Sequence, residues 1–264
     1  MQRTRREATE GLLPDERQRL ILERLRANGR VLAADLALEF NTSEHTIRRH
    51  LRDLADAGHC KRVYGGALLL SPAGQSASTR MHETVDRKTR LAVAAASIVR
   101  PGQIVLLDAG STNTAIAQAL PDDANLTVLT NSPQACLHLL DRTGFEIVLI
   151  GGRVGPQGGG SLGATALLQI QQVKADLCFL GACAVDVTEG IAGFDAEDAE
   201  LKRAMVRSSG QIAVAVTSEK LMTAAPFFVA PASAVEHLIV EPDVPAERLS
   251  ALEKAFSNVV VARS

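Results

Sequence analysis

The sequence lacks several features that would fix its class at once. Its four cysteines, Cys60, Cys136, Cys178 and Cys183, form no CxxC pair and have no histidine at zinc spacing. They read as small buried hydrophobes in a reducing compartment, with neither a disulfide framework nor a metal site. No run approaches the roughly 20 apolar residues of a membrane span. The charged opening "MQRTRREATEGLLPDERQRL" is not a signal peptide. The expectation is a cytoplasmic chain with no membrane partner. There is no P-loop and no GxGxxG, so nucleotide binding has no support and no cofactor is expected. No internal repeat is evident.

Strong net charge is also lacking: the formal value is −2 over 264 residues. Residues 1–70 nevertheless hold 13 Lys/Arg against 10 Asp/Glu, a net of +3, and the remainder carries −5. The N-terminal third can sit on a polyanion, and the rest cannot do so uniformly. Apolar residues make up 46%, enough for a core in one large or two ordinary domains.

Residues 1–13 read as a tail before Pro14, a plausible helix start. "DERQRLILERLRANG" puts Leu20, Ile21 and Leu25 on one stripe and stops at Asn28-Gly29. "VLAADLALEF" gives a second short helix with Leu32, Leu36 and Phe40 on one face. Ser43 is a good N-cap for a third, with Glu44 near the positive end of its dipole. Ile47, Leu51 and Leu54 form the buried stripe of that helix, and Gly58 ends it. His45, Arg48, Arg49 and Arg52 recur at helical spacing on another face. "KRVYGGALLL" reads as two strands around a Gly65-Gly66 turn. Three short helices followed by a basic hairpin make a winged helix-turn-helix. Its recognition helix presents early residues to base edges in the major groove. Candidate DNA contacts are Ser43, Glu44, His45, Thr46, Arg48, Arg49 and Arg52, with Lys61 and Arg62 holding backbone phosphate. Domain boundaries follow at 14–70 for this unit, 71–85 for a small, polar linker, and 86–264 for the remainder.

Beyond the linker the pattern changes. "DRKTRLAVAAASIVRPG" is a helix ended by Pro101-Gly102. Apolar runs follow: "QIVLLD", "LTVLT", "FEIVLI", "DLCFLG", "QIAVAV", "HLIVE" and "NVVVA". Helical stretches lie between several of them, which indicates a Rossmann-like α/β domain with a parallel sheet covered on both faces. Ligands of such sheets sit at the carboxyl ends of strands. After "QIVLL" come Asp108, Gly110, Ser111, Thr112, Asn113 and Thr114, then a helix. Small residues, hydroxyls and a helix N-terminus suit a phosphate. Thr130 and Asn131 end the next strand, and Gly151 and Gly152 the one after. Lys88, Lys202 and Lys220 are candidate phosphate partners.

These segments resemble the DeoR family of bacterial transcription regulators. The likeness runs through "ILERLRANGRVLAADLALEFNTSEHTIRRHLRDLADAG" and "KRVYGGAL". It continues in "RPGQIVLLDAGSTNTAIAQAL", "LTNS", "GGRV", "SLG", "ADLCFLGA" and "DAEDAELKRAM", over residues 14–262. It implies a C-terminal domain related in fold to ribose-5-phosphate isomerase, which senses a phosphorylated sugar or similar small anionic effector. It also implies a carbohydrate-operon repressor released by that ligand, bound to double-stranded operator DNA at the nucleoid as a homo-oligomer, dimer or tetramer. Departures from the family pattern are His50 where Asp is common, Ala182, Cys183 and Ala184 in place of a more polar run, and Thr217 in place of Asp. The His50 departure implies altered groove contacts or a changed local salt bridge, and the others imply an unusual effector.

The second reading is a sugar-phosphate isomerase-like enzyme. It needs a positioned carboxylate base. Asp108, Asp186 and Asp195 are the available carboxylates, but no paired acid/base arrangement is legible. An isomerase has no use for the first 70 residues, so no enzyme activity is expected.

Overall fold

The computed structural model describes residues 13–74, 84–155 and 158–263. Residues 75–83 of the expected linker lie outside the described residues, as does the N-terminal tail before Leu13.

The described residues open with α1 (Pro14–Asn28), β1 (Arg30–Leu32), α2 (Ala33–Glu39), α3 (Glu44–Asp56), β2 (Cys60–Val63) and β3 (Gly66–Leu70). Pro14 sits at the helix start, where its missing N–H costs nothing, and Gly29 in the left-handed region closes α1. The turn between α2 and α3 puts Asn41 at φ 47°, a conformation asparagine tolerates better than most residues. Ile21, Leu25, Leu36, Phe40, Ile47, Leu51 and Leu54 close one small core.

The expected second helix begins later than its sequence pattern suggests. Val31 and Leu32 form part of β1, which pairs antiparallel with β3. Leu32 is therefore exposed rather than on the helix face. Gly66 permits this pairing, because a side chain there would place its Cβ 1.9 Å from the Val31 carbonyl oxygen. The hairpin turn also shifts by one residue. Val63 pairs with Gly66, so Tyr64 and Gly65 form the two-residue tip.

The second unit opens with α4 (Val85–Ala96). It then alternates β4 (Ile104–Leu107), α5 (Ser111–Ala119), β5 (Leu126–Thr130), α6 (Pro133–Leu139) and β6 (Phe145–Leu149). A small hairpin follows, β7 (Arg153–Val154) and β8 (Ser161–Leu162), then α7 (Ala164–Gln171) and β9 (Ala175–Phe179). Next come β10 (Ala184–Asp186), β11 (Gly190–Gly193), α8 (Ala196–Arg207), β12 (Ser209–Val216), β13 (Thr223–Ala224) and β14 (Phe227–Ala230). The chain ends with β15 (His237–Val240), α9 (Ala246–Ala255) and β16 (Val259–Val261).

All seven apolar runs become strands of one sheet, in the order β16-β15-β12-β9-β4-β5-β6. Every pairing in it is parallel. Successive residues feed opposite faces. Val105 and Leu107 pack under α4 and α5, whereas Leu106 joins Ile170, Leu201 and Met205 on the other side. That alternation makes the sheet doubly covered.

The two units share a sheet. One edge of β3 pairs with β2, and the other pairs first with β1 and then, in parallel, with β13 of the second unit. Ser71 N–H donates to the Ala224 carbonyl at 3.0 Å. Gly29 lies against Met222, where a Cβ would come 2.6 Å from the Met222 carbonyl oxygen.

Candidate DNA interface and effector pocket

The Ser43 side chain accepts from Thr46 N–H at 3.1 Å and caps α3. Ile47, His50, Leu51 and Leu54 turn inward. Ser43, Glu44, His45, Arg48, Arg49 and Arg52 stand exposed on the opposite side. Thr46 is half-buried, its hydroxyl 2.9 Å from that of Ser43. Arg48 pairs with Glu44 at 2.7 Å. That pair is exposed, so it holds the guanidinium only weakly against a competing phosphate or base.

The wing departs from expectation at one position. Arg62 is exposed, but Lys61 points to the second unit and pairs with Glu189 at 3.3 Å. In this conformation a carboxylate, not a phosphate, satisfies Lys61. Tyr64, missed in the sequence, is fully exposed at the wing tip beside Arg62. His50 is not a groove residue. It is buried, with Nε2 3.5 Å from the Arg17 guanidinium and Nδ1 unpartnered. Burial, then Arg17 and Arg49, hold its pKa below the ordinary histidine value against Asp53.

The pocket lies at the carboxyl ends of β4, β9 and β12. It encloses about 480 Å³ including its mouth. Gly110 at φ 149° starts α5 without a side-chain cap, so the first N–H groups of the helix stay available. Thr114 N–H already donates to the Gly110 carbonyl at 2.8 Å. Gly110, Ser111, Thr112 and Asn113 form one wall, Gly181, Ala182 and Cys183 another, with Lys202 and Lys220 reaching in. Lys220 Nζ donates to the Ala182 carbonyl at 3.2 Å and so ties two walls together.

Beneath the pocket, Lys202 Nζ lies 2.6 Å from Asp108 and 3.0 Å from Asp198. Burial works against the Lys202 charge, but the two carboxylates outweigh it and raise its pKa above the ordinary lysine value. Burial also pushes the Asp108 pKa up, against the pull of Lys202. Asp108 accepts from Ala109 N–H at 2.8 Å and Gly181 N–H at 2.7 Å as well. These donors face the carboxylate and favour its charged form against that burial. Gly181 must be small, because a Cβ would stand 2.8 Å from Asp108 Oδ2.

Several sequence candidates serve the scaffold instead of the cavity. Asp108 anchors Lys202 and does not line the pocket. Asn113 borders it, but its amide donates to the Asp108 and Phe179 carbonyls, both at 2.9 Å. Thr114 donates to Gly110, and Thr130 to Leu107 at 2.6 Å. Asn131 accepts from Ala109 N–H at 2.8 Å. Gly151 donates to Gln169 at 3.0 Å, Gly152 packs against Leu162, and neither borders the cavity. Lys88 is buried on α4, away from it. Lining residues that sequence reasoning missed are Gly158, Gly181, Asp198 and Ala215, while Ala182 and Cys183 entered it only as departures from the family pattern. Cys183 is half-buried in the wall, unlike buried Cys60, Cys136 and Cys178. Of the family departures, Ala182 and Cys183 face the cavity. Ala184 is buried in β10, and the Thr217 hydroxyl is 2.6 Å from Glu219.

The proposed isomerase carboxylates are likewise engaged. Asp186 Oδ1 closes the β10–β11 turn, accepting from Thr188 and Glu189 N–H. Asp195 caps α8. Among the described residues no group of three or more His, Cys, Asp or Glu could hold a metal, and no helix is long and apolar enough to cross a membrane.

Two family models match: a DeoR-like helix-turn-helix domain over residues 17–73 and a DeoR C terminal sensor domain over residues 83–242. The chain belongs to the DeoR family. It is a DNA-binding transcription regulator, not an enzyme. An uncharacterized HTH-type transcriptional regulator, YgbI of Escherichia coli K12, is 31% identical over 96% of this chain and all of its own. The putative aga operon transcriptional repressor of E. coli O157:H7 is 29% identical over 93% of each chain. The glycerol-3-phosphate regulon repressor of E. coli K12 is 31% identical over 78% of this chain and 82% of its own. Likeness to solved structures is more distant. The sorbitol operon regulator SorC of Klebsiella pneumoniae aligns over 93% of this chain and 95% of its own, at TM-score 0.36 and 11% identity. Ribose-5-phosphate isomerase of Methanocaldococcus jannaschii aligns over 52% and 54%, at 0.38 and 17%.

Proposed function

We propose that this DeoR-family regulator is a cytoplasmic repressor of a carbohydrate-related operon, bound to its operator as a homo-oligomer and released by a phosphorylated sugar or similar anion. The observation that carries the reading is the uncapped start of α5 opening into a cavity with Ser111, Thr112, Lys202 and Lys220. Backbone N–H groups, hydroxyls and two ammonium groups together suit a phosphate. Relatives whose names place them on the aga operon and the glycerol-3-phosphate regulon support the substrate class.

Release is proposed to run through two short tethers. Cys183 borders the cavity, and its carbonyl accepts from Ser71 Oγ at 2.5 Å, just past the wing. Lys220 is two residues from Met222, which sits at φ 56° against Gly29, and three from Thr223, which pairs with Leu69. A phosphate that draws Lys220 off the Ala182 carbonyl moves both tethers.

Calorimetry with a panel of sugar phosphates and their dephosphorylated forms tests this. Binding should require the phosphate. Thr112→Ala should weaken it about tenfold or more, the value of one hydrogen bond to a charged group. Operator affinity without ligand should stay unchanged. Equal binding of a dephosphorylated sugar, or an indifferent Thr112→Ala variant, rejects the pocket.

A further inference from the structure

Among the described residues the sheet has two open edges, and they differ. β16 is three residues long, the short form in which natural proteins leave an edge. β6 is five residues, Phe145-Glu146-Ile147-Val148-Leu149, with no lysine, proline or bulge to protect it. Val148 is 38% exposed and Leu149 46%, and on the adjoining α6 Leu137 is 66% and Leu140 59% exposed. Leu149 lies on the α6 face with Phe145 and Ile147, and Val148 on the other, so apolar side chains stand exposed on both faces of a strand whose outer backbone groups are unpaired among the described residues, which marks an interaction surface. Among the described residues the winged unit does not cover it. Its contacts fall on Met222 and β13, on Cys183, on Thr188 and Glu189 in the β10–β11 turn and on Arg248 of α9.

We infer that β6 is the surface on which a second copy of this chain docks, strand against strand about a two-fold axis at Ile147. The inference rests on the oligomeric reading above and gives it a location. Its geometry follows from the backbone. Gly144 accepts from Leu126 N–H at 3.2 Å, and Ile150 N–H donates to Thr130 at 2.8 Å, both toward β5. Backbone groups alternate sides along a strand, so Glu146 and Val148 also face β5. Phe145, Ile147 and Leu149 aim N–H and C=O outward. Antiparallel pairing about Ile147 sets Ile147 opposite itself and Phe145 opposite Leu149, and each such pair exchanges two hydrogen bonds.

Charge selects the register. An axis at Glu146 would face that carboxylate with its own copy, a like-charge contact that is destabilising. An axis at Ile147 overlays all five residues, and each Glu146 then faces Val148. An apolar surface without a charge cluster of its own is self-complementary, as a two-fold interface must be. A chain carrying one winged helix also needs a second copy to read two operator half-sites.

The register yields a charge-swap test, read by sedimentation equilibrium of the full-length chain. Val148→Glu puts two carboxylates opposite Glu146 residues, so the dissociation constant should rise roughly hundredfold or more. Adding Glu146→Lys converts both contacts to attractive pairs and should restore assembly, which also shows that the variants fold. Leu137→Glu should weaken assembly independently. Wild-type protein that is oligomeric, with Val148→Glu and Leu137→Glu equally so, overturns this surface and leaves the oligomeric reading standing. Dissociation by Val148→Glu without rescue overturns the Ile147 register. Wild-type protein that stays monomeric at high micromolar concentration overturns both, and leaves the edge to a strand from a different protein.

Discussion

The molecule places its cations in two contrasting ways. On α3, Arg48, Arg49 and Arg52 stand in solvent, and the single exposed pair with Glu44 contributes little. Under the pocket, Lys202 is buried between two carboxylates. The arginines leave their charge available to a polyanion and stabilise the fold hardly at all. Lys202 spends most of its charge inside the protein, so it is foundation first and ligand partner second. Substitution should therefore separate function from stability on α3 and confound them at the pocket floor.

The sharpest way to break that contrast is to remove the buried cation. Lys202→Met leaves Asp108 buried without its ammonium partner and should destabilise the chain by about 3–5 kcal/mol. The double variant Asp108→Asn/Lys202→Met should lose less, because the fully buried carboxylate is gone and only the partly exposed Asp198 loses its partner. Denaturant unfolding measures both. A single variant as stable as the parent would mean that Lys202 is not structural.

On the exposed side, Arg49→Ala should lower operator affinity by about 1–3 kcal/mol if the side chain reads a base. The melting temperature should not move. Titration of operator against scrambled DNA over a range of salt separates base reading from phosphate contact, since a phosphate contact also flattens the salt slope. Unchanged affinity in a folded Arg48→Ala/Arg49→Ala variant would take α3 out of the groove.

The smallest effect concerns His50, a basic group that is buried yet has no carboxylate partner of its own. Its folded pKa lies below the ordinary value, so below about pH 6.5 the unfolded chain binds more protons than the folded one. Stability from this site is complete above that pH and declines as pH falls toward the folded pKa. His50→Gln should flatten that part of the stability profile. An identical slope in both proteins would assign it to other groups.

Legibility followed burial. The five inner strands of the main sheet stood out as apolar runs because helices cover both faces, and the partly exposed edge strands β6 and β16 stood out by their apolar residues alone. Strands β7, β8, β10, β11, β13 and β14 did not. They are short, several are built from Gly and Ala, and partners such as Leu69 and Thr223 are far apart in sequence. The recognition helix was legible because exposed charge against an apolar stripe is a local pattern. The pocket was half legible. Ser111, Thr112, Lys202 and Lys220 were found at the right strand and helix ends. Thr130 and Asn131 were chosen for the same polarity, yet their side chains bond the neighbouring βα turn. A polar residue type requires a hydrogen bond without naming its partner. Cys183 was visible only as a departure from the family pattern, because it contributes a wall and a carbonyl rather than a charge.

The strand β13 has a consequence for anyone who would cut or recombine this protein. The two family matches end at residue 73 and begin at residue 83, which invites modular exchange of reader and sensor. The boundary in the folded molecule is elsewhere. Thr223 and Ala224 complete the sheet of the wing, so a fragment ending near residue 74 loses a strand and bares the β3 edge at Leu69 and Leu70. A chimera that grafts this reader onto a foreign sensor inherits the same gap unless the new sensor brings a matching strand. Reader and sensor are thus fitted as a pair, and a working transplant must carry the two residues from the far side of the chain along with it.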